Sequence, residues 1–201
     1  FSGPMANISP ASEQDVLECL AFLADLNALA RRLSQEQKAA IAPASEACFS
    51  LSELETNLKY RLDPLQKLAP HECLAQELST FLELELVPQF REALGQAIKL
   101  LGAEQRLPQE QCILSSSDFG LHNAIRQEDE GNPKGASKLV FVDFEYFGWD
   151  DPAKTACDFL LHPAMEVSGT MHEVFLQGFL ERFADTSPGL QTRIKALFPL
   201  Y

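Results

Sequence analysis

The chain has 201 residues, 46% of them hydrophobic and 22% charged, enough for one substantial core and too few for two independent domains. Its net charge of −13 argues against a nucleic-acid partner, because phosphate backbones select basic faces. No apolar run approaches the roughly 18 residues of a membrane helix and no signal-peptide pattern opens the chain, so a cytoplasmic protein with no membrane partner is expected.

Taken from the start, Ser9-Pro10 has the form of a helix opening: Ser caps, Pro fits the first turn, and Glu13 and Asp15 suit the positive end. Val16, Leu20, Leu23, Leu26 and Ala30 then recur at helical spacing and predict a core-facing stripe. Ser34 predicts a cap for a short helix over Gln35 to Ile41, and Ala42 to Ser50 reads as a loop. Ser52-x-x-Glu55 is a capping-box pattern for a helix through Leu62, which Asp63-Pro64 should interrupt or restart. Pro70 is expected to begin a long helix carrying Leu74, Leu78, Phe81 and Leu82. A second helix follows from Pro88, with Phe90, Leu94, Ile98 and Leu101 on one face and Gly102 as its stop.

Beyond it the pattern changes. Gln111 to Leu114 predicts a brief strand, and Ala124–Arg126 with Lys138–Val142 predict two arms of a hairpin. Its polar, Gly-containing tip, Gln127 to Ser137, reads as a mobile loop. Asp151-Pro152 has the form of an N-cap and first helical residue for a helix to Leu161. Met171 to Phe183 and Leu190 to Leu197 predict two closing helices. The five cysteines are scattered and lack any Cys-x-x-Cys pair, which predicts buried thiols rather than a disulfide framework. The four histidines lack zinc spacing, and His71 near Cys73 is at most half a site.

The chemistry-bearing part is Ser115-Ser116-Ser117-Asp118-Phe119-Gly120-Leu121-His122-Asn123, followed after the hairpin by Phe141-Val142-Asp143-Phe144-Glu145-Tyr146-Phe147-Gly148-Trp149-Asp150-Asp151-Pro152. Phosphoryl transfer in the kinase manner needs a carboxylate facing the attacking hydroxyl, with an amide and a second carboxylate to hold magnesium. An Asp-x-x-x-x-Asn pair alone is equally a turn, since both residues bond local backbone. The second segment adds weight: the apolar run Leu139–Val142 delivers Asp143 to its end, and the chain then turns into a capped helix.

These two segments resemble the catalytic and metal-binding loops of the aminoglycoside phosphotransferase and choline kinase superfamily. Its usual form is His-Gly-Asp-x-His-x-x-Asn, then Ile-Asp-Trp/Phe-Glu-x-x-x-x-Gly/Asp-Asp-Pro. The resemblance implies an α+β fold, predominantly α-helical: the C-terminal lobe of a protein-kinase-like fold, with a small β-hairpin carrying both loops. The whole chain would be one such lobe, with 1–8 as hinge linker, 9–104 helical, 111–151 carrying the two loops and 152–201 the closing helices. It implies an ATP-dependent phosphotransferase acting on a hydroxyl of a small molecule such as an aminoglycoside, amino sugar or choline, with Mg2+ as cofactor and ATP as co-substrate. Asp118 would be the catalytic group, and Asn123 and Asp143 the metal ligands.

Other roles stay open. Glu145 would support the metal from behind or bond backbone, and Tyr146 and Trp149 would line an acceptor pocket or pack the loop. The chain also departs from the family pattern. Ser116 stands where the family has its first His, Gly120 where it has its second, and Thr155 where the helix usually carries Asp. Asp158 shares a helix face with Thr155 at i+3, and is a candidate for the same bracing work. Phe1-Ser2-Gly3-Pro4 reads as the linker that follows the hinge strand. Lys38, Lys59, Lys67 and Lys99 fall on helical or polar stretches, and no Gly-rich loop precedes Asp118. Without a nucleotide lobe the isolated chain is expected to be inactive. The competing expectation is a kinase-like binding module without catalysis.

Overall fold

Short polar caps at Ser12, Ser34, Ser50, Asp151 and Ser168 start helices of this protein, and buried phenylalanines pack between them. The computed structural model describes residues 11–67, 73–102, 106–128, 137–165 and 167–201. The expected linker at Phe1–Pro4, the Ser9-Pro10 and Pro70 helix starts, His71 and most of the hairpin tip lie outside the described residues.

Helix α1, Glu13–Ala30, is capped by Ser12 in a capping box: Ser12 accepts from the Asp15 N–H, and Asp15 accepts from the Ser12 N–H at 2.9 Å. Burial opposes a charge on Asp15, but the Ser12 hydrogen bonds and the Arg126 guanidinium outweigh it, so its carboxyl sits below the ordinary value. That Asp15–Arg126 pair ties α1 to the hairpin, as does the Leu139 N–H donated to Glu18 at 2.8 Å. Helix α2, Gln35–Ala40, has a capping box of its own at Ser34.

Helix α3, Leu51–Gln66, corrects the capping expectation: Ser50 is the cap, accepting from the Glu53 N–H, and Glu53 bonds back to the Phe49 N–H. It also runs through Pro64, which lies in its last turn, so the bond lost with the missing N–H falls at the helix end, two residues before Gln66. The two helices expected around Pro88 are one continuous stretch: α4, Cys73–Phe81, a π-helical turn, Leu82–Leu86, and α5, Val87–Leu101. The Val87 N–H reaches back to Leu82 O, a wider turn that makes room for the ring of Pro88 without breaking the axis. Gly102 stops α5 in the left-handed half of φ, at φ 79°.

Two small antiparallel sheets complete an α+β, predominantly helical fold. Strands β2, Ala124–Glu128, and β3, Ser137–Phe141, form the expected hairpin with Ala124 opposite Phe141. The other pair was not expected: β1, Ile113–Ser115, lies beside β4, Gly148–Asp150. The 42–50 loop zips along β4, with Ala44 N–H on Trp149 O at 2.8 Å and Trp149 N–H on Ala42 O at 3.0 Å. A side chain at Gly148 would run into the Ala42–Ala44 backbone, so this docking requires glycine there.

Helix α6, Pro152–Leu161, starts as expected on Asp151, whose Oδ1 accepts the Ala153 N–H at 2.8 Å while Arg193 holds Oδ2. Helices α7, Gly169–Phe183, and α8, Leu190–Leu197, close the core. Phe159 stacks on Phe175 at 3.9 Å, and Phe175, Phe179 and Phe183 continue the row. Cys19, Cys48, Cys112 and Cys157 are buried free thiols. Among the described residues no helix is long and apolar enough to cross a membrane.

Asn27 fixes β1 against α1. Its amide donates to Leu23 O and Leu114 O, and its oxygen accepts the Leu114 N–H at 2.8 Å, all in the core. Replacing it with Leu orphans both polar groups of Leu114, at about 1–3 kcal/mol each. The denaturation midpoint of Asn27→Leu should fall accordingly, and an unchanged midpoint would show that the strand is held by other means.

Candidate functional site

Strand β1 ends at Ser115, and the chain then carries its candidate residues out of the core. Ser116 is buried, and Ser117 takes φ 70°, a left-handed conformation uncommon for serine. It is held there by its side chain: Ser117 Oγ donates to Ser45 O at 2.6 Å, and its backbone N–H bonds Ser115 Oγ at 3.0 Å. Phe119 then plunges into the core, 1% exposed, with its ring against Phe22, Phe141 and Phe159. Burying Phe119 inward turns its neighbour Asp118 outward, to the lip of a cavity of about 550 Å³.

Asn123 joins Asp118 directly. Its amide nitrogen donates to Asp118 O at 3.0 Å and to the carboxylate Oδ2 at 3.3 Å. Two acceptors on one side fix the amide orientation, because a flipped oxygen would face both of them. Asn123 Oδ1 is thereby turned away from the carboxylate. The Val142 N–H bonds Asn123 O at 2.9 Å, so Asp143 follows one residue later at the same end of the hairpin. Asp143 is exposed and has φ 63°, a second non-glycine residue in the left-handed region.

The turn after Asp143 ends the strand alternation, which removes the geometric reason for placing Glu145 on its side; Glu145 is exposed on that turn. Tyr146 faces the same cavity as Asp118, and its phenol is raised by the hydrogen bond and charge of Glu145, by burial, and then by Asp143 and Asp118. One phenol thus feels both carboxylates. Trp149 lies elsewhere and takes the packing role of its two expected ones. It is 8% exposed in a core cluster with Phe49 and Leu114, and its indole N–H is spent on Lys38 O at 3.0 Å.

Asp158 borders the Asp118 cavity, and the bracing it contributes runs through Lys154. The Lys154 ammonium has three N–H donors and three acceptors: Asp158 Oδ2 at 2.7 Å, Ser117 Oγ at 3.3 Å and Asp150 Oδ2 at 3.4 Å. All three donors are engaged, and one of them bonds the left-handed Ser117. Burial would lower Lys154, but Asp150 and Asp158 outweigh it and raise its pKa. Burial pushes Asp150 up to about 7 and Asp158 up to about 6, each against the pull of Lys154. Thr155 is fully buried and bonds Asp151 O.

His162, which sequence reasoning passed over, stands beside Asp118 together with His122 of the 115–123 segment. His162, at the end of α6, and His122 stack face to face with centroids 3.7 Å apart and planes within 3°. Their Nε2 atoms lie 3.4 and 3.1 Å from Asp118 Oδ1. Both His122 nitrogens are buried without a well-directed hydrogen bond, so that oxygen lies off the N–H axis. Asp118, His122 and His162 have the spacing of a metal trio, but their orientation opposes it. Imidazole lone pairs lie in the ring plane, and two parallel stacked rings have no shared point at which an ion would meet both. Position 120 has no room for a side chain, which would collide with Met165 and His122. Lys154 was legible from its i±4 carboxylates, whereas nothing near His162 in the sequence points at Asp118.

Compared with protein-family models, curated proteins and solved structures, the chain matches none.

Proposed function

We propose that this chain is the catalytic lobe of an ATP-dependent phosphotransferase acting on a hydroxyl of a small molecule. The observation that carries the reading is the Asn123 amide bonded to Asp118 at the lip of the cavity, with Asp143 at the same end of the hairpin. The resemblance to the aminoglycoside phosphotransferase and choline kinase superfamily supports it, through the same three residues. In this reading the C-terminal lobe of a protein-kinase-like fold comprises α1 to α8 and both sheets.

Asp118 faces the acceptor hydroxyl, orients it, and receives its proton as the bond to phosphorus forms. Asn123 and Asp143 fit magnesium, because the Asn123 oxygen is turned free of Asp118 and a carboxylate is the hard oxygen donor that this ion prefers. Bound there, the ion would neutralise phosphate charge. The acceptor would occupy the cavity, between Tyr146 and the Leu54–Leu58 face of α3.

Release of ADP from magnesium-ATP, measured with the natural full-length protein against a panel of hydroxylated amines, amino sugars and amino alcohols, is the test. Turnover above the acceptor-free background is expected for at least one class. If a folded protein binds panel members with no ADP release, the non-catalytic binding module is the correct reading.

A further inference from the structure

We infer that α3 is a hinged cover over the Asp118 cavity, anchored at its first turn and latched near its middle by Glu46, so that release of the latch opens the cavity. The inference deepens the phosphotransferase reading by giving the acceptor a way in, and only its kinetic arm rests on that reading.

The inner face of α3 borders the cavity rather than packed protein. Leu54, Asn57, Leu58 and Arg61, at i, i+3, i+4 and i+7, form one stripe of the helix, and all four line the cavity. Three of the 16 residues of α3 are buried, against eight of ten in α6. Of those three, Leu51 joins a core cluster, whereas Leu54 and Leu62 belong to neither cluster among the described residues. A helix that buries so little is placed by its attachments.

Those attachments are unequal along its length. The first turn is fixed: Ser50 caps it, and Glu53 bonds the Phe49 N–H and pairs with Arg106. Phe49 O is held in turn by the Leu107 N–H at 2.8 Å and by Arg193 Nη2 at 3.2 Å. Further along, the stripe is tied to Glu46, whose Oε2 accepts from Asn57 Nδ2 at 2.9 Å and from Arg61 Nη2. The Asn57 hydrogen bond and then that of Arg61 hold the Glu46 carboxyl below its ordinary value. Side-chain exposures of 61% for Arg61 and 49% for Glu46 make this a weak tie, as a latch that must open requires. Glu46 itself stands at φ 62°, in the left-handed region. Its neighbour Ser45 donates its N–H to Tyr146 O at 3.0 Å and accepts Ser117 Oγ at 2.6 Å, so the latch adjoins the loop that aims Asp118.

Glu46→Gly removes the latch without straining the loop, because glycine adopts a positive φ freely. Hydrogen exchange of the full-length protein, free of ligand, reads the cover directly. In the wild type, amides of residues 57–63 should exchange faster than those of α7. Glu46→Gly should speed them a further threefold to tenfold or about that, with α7 unchanged. Arg61→Met, which keeps the stem and removes the charge, should act in the same direction by a smaller factor. Exchange of 57–63 at the α7 rate in the wild type, no acceleration in Glu46→Gly, or an equal acceleration in α7 would each overturn the inference. With an acceptor that the protein turns over, a cover closed less of the time lowers apparent affinity, so KM for acceptor should rise by about threefold or more in Glu46→Gly, with KM for nucleotide within about twofold. An unchanged acceptor KM would remove α3 from acceptor entry. If the wild-type protein itself turns over no acceptor, the phosphotransferase reading fails, and the exchange arm still decides whether α3 opens.

Discussion

Asp118→Asn should lower turnover by about 10²–10⁴-fold while leaving nucleotide affinity within about twofold, whereas Asp143→Ala should weaken magnesium-dependent nucleotide binding as well. The two carboxylates stand in different settings. Asp118 sits at the cavity lip with its oxygens near His162 and Asn123, where an acceptor hydroxyl would meet it. Asp143 lies across the hairpin base beside Asn123, turned outward by its positive φ. A group used only at the transition state changes rate without changing ground-state binding, but a metal ligand acts in both states. Rates and dissociation constants for each variant, with and without magnesium, separate the two. Near-normal turnover in Asp118→Asn would remove it from the catalytic role, and unchanged magnesium-dependent binding in Asp143→Ala would remove that residue from the metal.

How much of this was legible in the sequence depends on the range of the interaction. The caps at Ser34 and Asp151 are encoded within four residues, and both helices begin where their pattern says. Ser50 displaced Ser52 because the Glu53 carboxylate reaches back to Phe49, a competition between two overlapping boxes that local pattern does not rank. Pro88 reads as a break, yet a π turn absorbs it: Pro88 has no N–H, and the Val87 N–H before it bonds Leu82 O five residues back. Strand β4 could not be anticipated, because three residues paired to β1 and to a docked loop carry no period of their own. At the site, Asp118, Asn123 and Asp143 stand within two continuous segments, and their order and spacing together with the family resemblance suggested them. His162 reaches Asp118 only through the path of α6, and Trp149 turned inward because Lys38 O waits there for its indole.

Lys154→Met should be the most damaging core substitution near the site, at about 3–5 kcal/mol, because it removes the cation that faces the buried Asp150 and the half-buried Asp158. Its cost should depend on pH in a defined direction. Asp150 and Asp158 have folded values raised to about 7 and about 6 by burial. A raised folded value means that the contribution is complete below the ordinary carboxylate pKa and is lost as pH rises through the folded one. Without Lys154 the pull that lowers both is gone, so each rises further and the buried pair is charged and unpaired only at higher pH. The deficit between wild type and variant should therefore be largest above about pH 8 and shrink toward about pH 5.5, as both carboxylates take up protons. Urea midpoints of the two proteins across that range test it. A deficit that is constant with pH would mean that Lys154 acts by packing its stem rather than by its charge. The same variant frees Ser117 Oγ of one partner, so a circular-dichroism spectrum that stays native at low pH, with turnover still lost, would place the defect in the strained loop that aims Asp118.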